Sequence, residues 1–337
     1  MNHPARSEGG WSAVWRQLKK KHLAMSGLLL IVLLGLMAVL ADFIASDLPL
    51  LARHHGRLYL LPNLFRPAAL IAEDNQHMRA TRVRGDWLIP PPVPYGPEQQ
   101  PPMLRRPPAP PDGEHWLGTD DRGRDVLARL IHGTRVSLSV GFVAVAIYVL
   151  IGLLLGAAAG YYGGKVDVWI SRLTEIMLSF PTLFLILAVM GMLGRTSILT
   201  VMVVIGLTGW TFVARLVRAE VLKLKGQDFV TAARALGLRP SRVIWRHLVP
   251  NALGPVLVSA TFGIAGAILV EAALSFLGFG TPPPTASWGE LLSQAQRYES
   301  KWWLTLFPGL AIFATVTAYN LLGEGLRDAI DPRLRHT

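Results

Sequence analysis

Apolar residues along this chain fall into long, nearly uninterrupted runs, without the three-to-four-residue rhythm of a surface helix. The first, residues 23–41, follows a basic flank of Arg16, Lys19, Lys20 and Lys21. It matches the ~20 residues a bilayer-spanning helix needs. That length favours a signal anchor over a cleaved leader, whose apolar stretch runs ~7–15 residues, although VLA at 39–41 resembles a cleavage site. Five more runs follow at 136–161, 173–193, 198–217, 253–280 and 302–322. The second is rich in Gly and Ala, which lets helices approach closely in lipid. The third holds Glu175 near its start and Pro181 inside, where a kink is expected. The last opens on the Trp302–Trp303 pair of an aromatic belt. The pattern predicts an all-α integral membrane protein with six transmembrane helices.

Charge sets the expected orientation. The N-terminal tail, the segment 162–172 with Lys165 and Arg172, the loop 218–252 and the C-terminal tail fall on one side of six spans. The loop carries Arg218, Lys223, Lys225, Arg234, Arg239, Arg242 and Arg246 against Glu220 and Asp228. The GRTS turn at 194–197 and the segment 281–301, on the other side, are poor in Lys and Arg. The positive-inside rule then puts both termini, 1–22 and 324–337, in the cytoplasm. Much of the formal +11 charge is therefore topological, and no nucleic-acid partner is needed to explain it. Only 16% of residues are charged, against about 25% in a soluble domain, and cysteine is absent.

A long external loop, 42–135, follows the first span. Residues 42–89 mix apolar and charged positions as a small packed unit does. Residues 90–111 hold eleven of the twenty-four prolines and are expected to form an extended connector, more a spacer than a ligand.

Between the fourth and fifth spans runs TAARALGLRPSRVIWRHLVPN, residues 231–251. Residues 228–236 form helix readily, Gly237 permits the backbone that ends one, Pro240 suits a first helical turn, and Pro250 blocks extension. Two short helices joined at 237–239 are predicted. Small alanine faces admit another surface closely and the arginines offer charge-assisted contacts, so an anionic lipid surface and a protein partner fit equally well.

The stretch resembles the cytoplasmic EAA loop of ABC-transporter permeases, with Ala232, Ala233, Gly237 and Pro250 at the Ala, Ala, Gly and Pro places. Thr231, His247 and Val249 replace the Glu, Ile and Leu, and the form AARALG with RHxxPN resembles the peptide-transporter branch. Other segments agree: GTDDRGRD at 118–125, GYYGGKVD at 160–167, Arg172 and Glu175 before SFP at 179–181, EAALSFLGFG at 271–280 and RDAIDPR at 327–333. Residues 41–64 look closest to the longer permeases of microcin C and oligopeptide uptake. The resemblance implies a permease core over 136–323 whose coupling loop, 218–252, docks on a separate ATPase. The coupling residues it implies are Ala232, Ala233, Gly237, Arg246, His247 and Pro250. Gly118, Thr119, Asp120, Gly123, Arg124, Asp125 and Pro181 would be structural family positions. Implied partners are a second homologous permease, two ABC ATPase subunits, a periplasmic or extracellular peptide-binding protein and the lipid bilayer of the bacterial inner membrane. ATP and Mg would sit on the ATPases, with no cofactor on this chain. Similar permeases serve systems for dipeptides, oligopeptides, microcin C-like compounds, glutathione and nickel chelates.

Glu271 lies inside a span, where a charge costs roughly 2.5–3.5 kcal/mol on insertion scales. It is either a translocation-path residue meeting a substrate amino terminus or a hydrogen-bonded tie between helices; its place in a stretch shared across substrates favours the tie. Glu175 and Arg172, at i, i+3 spacing, suit a local ion pair. Asp120, Asp121 and Asp125 lack calcium-loop spacing and are interleaved with Arg122 and Arg124, so no metal site is expected. His54 and His55 read as solvated. No Walker A, HExxH or GxSxG sequence occurs, so the chain is not expected to be an enzyme. The other readings are an ATP-independent membrane scaffold and, less well suited, a secondary transporter with paired inverted halves.

Overall fold

The computed structural model describes residues 10–70, 73–100, 107–194 and 197–330. A short amphipathic helix, α1 (Gly10–Lys19), leads into α2 (His22–Val39), the first apolar run. One turn, α3 (Ala41–Ile44), opens the unit that follows: β1 (Leu51–His54), β2 (Arg57–Leu60), α4 (Pro62–Phe65), α5 (Asn75–Ala80) and β3 (Trp87–Ile89). The second run is α6 (Val126–Tyr162), and the third is broken into α7 (Gly164–Leu178) and α8 (Thr182–Leu193). Then come α9 (Ile198–Lys225), α10 (Asp228–Ala235), α11 (Pro240–Val243), α12 (Val249–Phe276), α13 (Trp288–Gln294) and α14 (Trp302–Ile330). Among the described residues, five helices are long and apolar enough to cross a membrane, and the α7–α8 pair makes a sixth if it counts as one span.

The chain is mostly helical but not all-α. β1 pairs antiparallel with both β2 and β3, giving the order β2-β1-β3. The β1–β2 loop is His55–Gly56, with φ of 49° and 75°. Two positive φ values in a two-residue loop match the twist of the flanking strands. Asp86 stabilises this turn by accepting the His55 amide at 3.1 Å, which with the Val83 amide holds its carboxyl below the ordinary range despite burial. His54 is buried with Nδ1 3.7 Å from Asp86, so only His55 is exposed as expected. The proline-rich stretch is no free spacer. Val93 pairs with Ile44 and Ser46 through backbone hydrogen bonds, and Val93, Tyr95 and Ala109 are buried; residues 101–106 lie outside the described residues.

Pro181 does more than kink the third span. It caps the N-terminus of α8, and the two half-helices meet at 84°. Its missing N–H and its steric demand on Phe180 end one helix and start another. The most extensive helix-to-helix contact in the bundle is between α6 and α9. Gly152, Gly156 and Gly160 make it possible: a Cβ on Gly156 would stand 2.5 Å from the Ala214 carbonyl oxygen, and one on Gly152 2.6 Å from Val213. Small residues four apart let two backbones touch where lipid supplies no hydrophobic drive. α14 packs on α2 and α12, and Lys21 bridges Asp328 at 3.0 Å. The bundle therefore has two distinct ends, a sheet end before α6 and a loop end carrying α10 and α11.

Candidate functional site

At the loop end, α9 runs well past its apolar part before Gly226 closes it. α10 then finishes in a complete left-handed cap. Gly237, at φ 75°, donates to Arg234 at 2.9 Å, and Leu238 donates back to Ala233 at 3.2 Å. That pair of bonds satisfies the carbonyls a helix end leaves open and needs a residue tolerant of positive φ. Arg234 stacks over Tyr161 at 4.8 Å and Lys225 donates to the Tyr161 carbonyl at 2.6 Å, tying the loop to the end of α6.

The second helix does not stop at Pro250. Residues 244–248 form a wide turn in which Val249 donates to Ile244, five residues back, and Pro250 sits in the first turn of α12. The proline needs no donor there. Helix therefore continues from Pro240 to Phe276, about 55 Å at 1.5 Å per residue. The loop is thus the terminal part of a membrane span.

The predicted coupling residues divide by exposure. Ala232, Gly237, Arg246 and Pro250 are exposed and His247 is half-buried. Ala233, 5% exposed, belongs to the core formed with Val230, Val243 and Leu248 and cannot face a partner. It lies one position from Ala232, about 100° further round the helix, and the motif alone does not say which alanine turns inward. The apolar surface is carried by residues the motif did not single out: Leu236, 82% exposed beside Gly237, with Phe229 and Trp245. Their signal was large apolar residues inside a basic loop.

Between α6, α8, α9 and α12 lies a cleft of about 350 Å³, with Tyr148, Thr182, Thr208 and Ser259 among its walls. Glu271 does not line it. The carboxylate is fully buried at the α12–α13 junction, where Oε1 accepts from Ser275 at 2.9 Å and from Ser287 at 3.0 Å. Ser287 Oγ also accepts the Glu290 amide as the N-cap of α13, so Glu271 holds that helix start against α12. Arg172 and Glu175 pair at 2.6 Å on an exposed surface.

The GTDDRGRD turn anchors the sheet end. Gly118, at φ 79°, lets Thr119 exchange hydrogen bonds with Ala109, and Trp303 Nε1 donates to the Thr119 carbonyl. Asp120 accepts the Arg122 and Arg124 amides and the Arg124 guanidinium at 2.6 Å. Gly123, at φ 80°, closes the turn, and Asp125 caps α6 by accepting from Ala128. Arg129, fully buried, pairs with Glu290 at 2.5 Å and lies 3.3 Å from Asp120. Asp120, Arg124, Arg129 and Glu290 thus join the start of α6 to α13. Burial, reinforced by the Asp120 charge, pushes the neighbouring Asp121 carboxyl up.

Residues 152–336 match the family of binding-protein-dependent transport system inner membrane components, and residues 10–56 match the N-terminal TM domain of oligopeptide transport permease C. The dipeptide transport system permease protein DppC of Alkalihalophilus pseudofirmus is 36% identical over 96% of this chain and 90% of its own. The oligopeptide transport system permease protein OppC of Bacillus subtilis is 40% identical over 67% of this chain and 74% of its own. Among solved structures, a chain of the MetNI methionine ABC transporter, in inward-facing conformations, shares the fold with TM-score 0.51 and 19% identity. It covers 60% of this chain and 96% of the other.

Proposed function

The chain belongs to the inner membrane components of binding-protein-dependent transport systems, and from that premise we propose how its two ends divide the work. It is a multi-pass permease subunit of an ATP-driven peptide importer. The loop end faces the cytoplasm, as its basic residues favour, and both termini lie with it. There Leu236, Gly237, Ala232 and Arg246 seat in a groove of an ATPase subunit, which carries the ATP and Mg. A second permease completes the path, a second ATPase the motor, and an external peptide-binding protein delivers substrate.

One observation carries this reading: the exposed Leu236–Gly237 turn rides on a loop whose second helix continues unbroken into a span. Closure of the ATPases on ATP displaces the turn, and the helix from Pro240 to Phe276 transmits the displacement to the cleft wall. ATP binding can shift the spans between inward- and outward-facing states only through contacts that differ between them, and the docked turn supplies those contacts.

The test is purification of the tagged chain from its native membrane in mild detergent, followed by reconstitution. The proposal expects P-loop ATPases and a second permease to co-purify and peptide uptake to require ATP and the binding protein. A chain recovered alone even after crosslinking, or uptake that follows an ion gradient, would overturn it.

A further inference from the structure

The register of the sheet sorts its residues onto two faces. Ala52, Tyr59 and Leu88 point to one side and cover Leu48, Leu70 and Met78. The other face carries Leu51, Leu58, Leu60, Trp87 and Ile89 around Arg53. Most of it is open, with Leu60 64% exposed. A soluble surface rarely leaves a contiguous apolar patch of this kind uncovered.

Its position says what covers it. α2 spans about 27 Å, so Asp42, one turn beyond, lies at the edge of a hydrocarbon layer ~30 Å thick. Asn63, buried, donates to the Asp42 carbonyl at 2.8 Å and pins α4 at that level. Arg135 reaches the Ala38 carbonyl and Asp42 at the same height. On α4, Phe65 is 76% exposed with the exposed Leu64 beside it, and Val39 at the end of α2 is 72% exposed. Only Leu61 separates α4 from the exposed Leu60 of β2. Exposed apolar residues therefore recur along the chain from the end of α2 through α4 and on the sheet face, and Trp87 and Arg53 are side-chain types that settle at headgroup level.

We propose that the three-stranded sheet lies face-down on the leaflet at its end of the bundle, as a lipid-docking plate that fixes the outer unit relative to the spans. The absence of cysteine in the chain makes the test direct. Leu58→Cys, Leu60→Cys and Phe65→Cys are each spin-labelled in the intact transporter in lipid nanodiscs, without binding protein. Collision with oxygen is compared with collision with a water-soluble nickel chelate, using Val39→Cys as the lipid reference and Glu114→Cys as the water reference. The proposal expects oxygen-to-nickel ratios several-fold above that of Glu114→Cys and close to that of Val39→Cys. Ratios like that of Glu114→Cys would overturn it by showing a face in water. Labels shielded from both reagents would overturn it in favour of a covering protein subunit.

Discussion

Replacing Gly237 with Asn separates the shape of the coupling turn from its contacts. A Cβ at this position meets nothing within 4 Å, so the chain itself offers no clash. Local cost comes only from φ of 75°, roughly 1–2 kcal/mol for an ordinary side chain and least for Asn, which enters the left-handed region most readily. Gly237→Asn should therefore keep the Schellman bonds and the thermal stability of the chain. If the turn seats in an ATPase groove as proposed, the added amide is buried there without a hydrogen-bond partner. An unsatisfied buried polar group costs about 1–3 kcal/mol, an affinity loss of about 5- to 150-fold. ATPase retention by the nanodisc-bound permease measures that loss, with binding-protein-stimulated ATP hydrolysis as the functional readout. Gly237→Ala controls for backbone strain. If the folded Asn variant retained the ATPase and transported like the natural chain, position 237 would not face the partner and the docking argument would fail.

Glu290→Gln removes one charge from the buried cluster and leaves Arg129 short of a counter-ion, so thermal unfolding should reveal a loss approaching about 3–5 kcal/mol. The double variant Arg129→Met with Glu290→Leu should lose less, because no charge is stranded. Gly156→Val forces α6 away from the Ala214 carbonyl and should cost about 1–3 kcal/mol by the same assay, whereas Gly191→Ala, with open space around it, should be neutral. Burial and the Asp120 charge raise the Asp121 carboxyl above its ordinary 3.8, so its ionisation opposes folding. That penalty is absent below the ordinary value and complete once pH passes the raised one. Asp121→Asn should therefore raise the melting temperature at neutral pH and leave it unchanged at the acid end.

How legible all this was in the sequence depends on distance along the chain. Spans declare themselves because lipid demands a local, continuous apolar run, and the left-handed cap at Gly237 was readable from a glycine following a helix-forming stretch. Pro181 announced an interruption, but the 84° bend depends on how two half-helices pack. The helix through Pro250 escaped prediction because the wide turn at Ile244–Leu248 absorbs the proline. Non-local partners were hidden altogether. β3 joins β1 from more than thirty positions away, and Arg129 finds Glu290 161 positions further along the chain. Ala232 and Ala233 are chemically identical, so only the side on which α10 packs into the core with Val243 and Leu248 decides which one is exposed.

The central claim is that the Leu236–Gly237 turn seats on an ATPase. Leu236→Cys in this naturally cysteine-free chain, labelled with a benzophenone and photolysed in native membrane vesicles, tests it most directly. The account predicts adducts to a P-loop ATPase subunit, with a yield that changes on addition of ATP. Adducts to lipid alone, insensitive to nucleotide, would mean that the loop rests on the membrane surface and is not the coupling element.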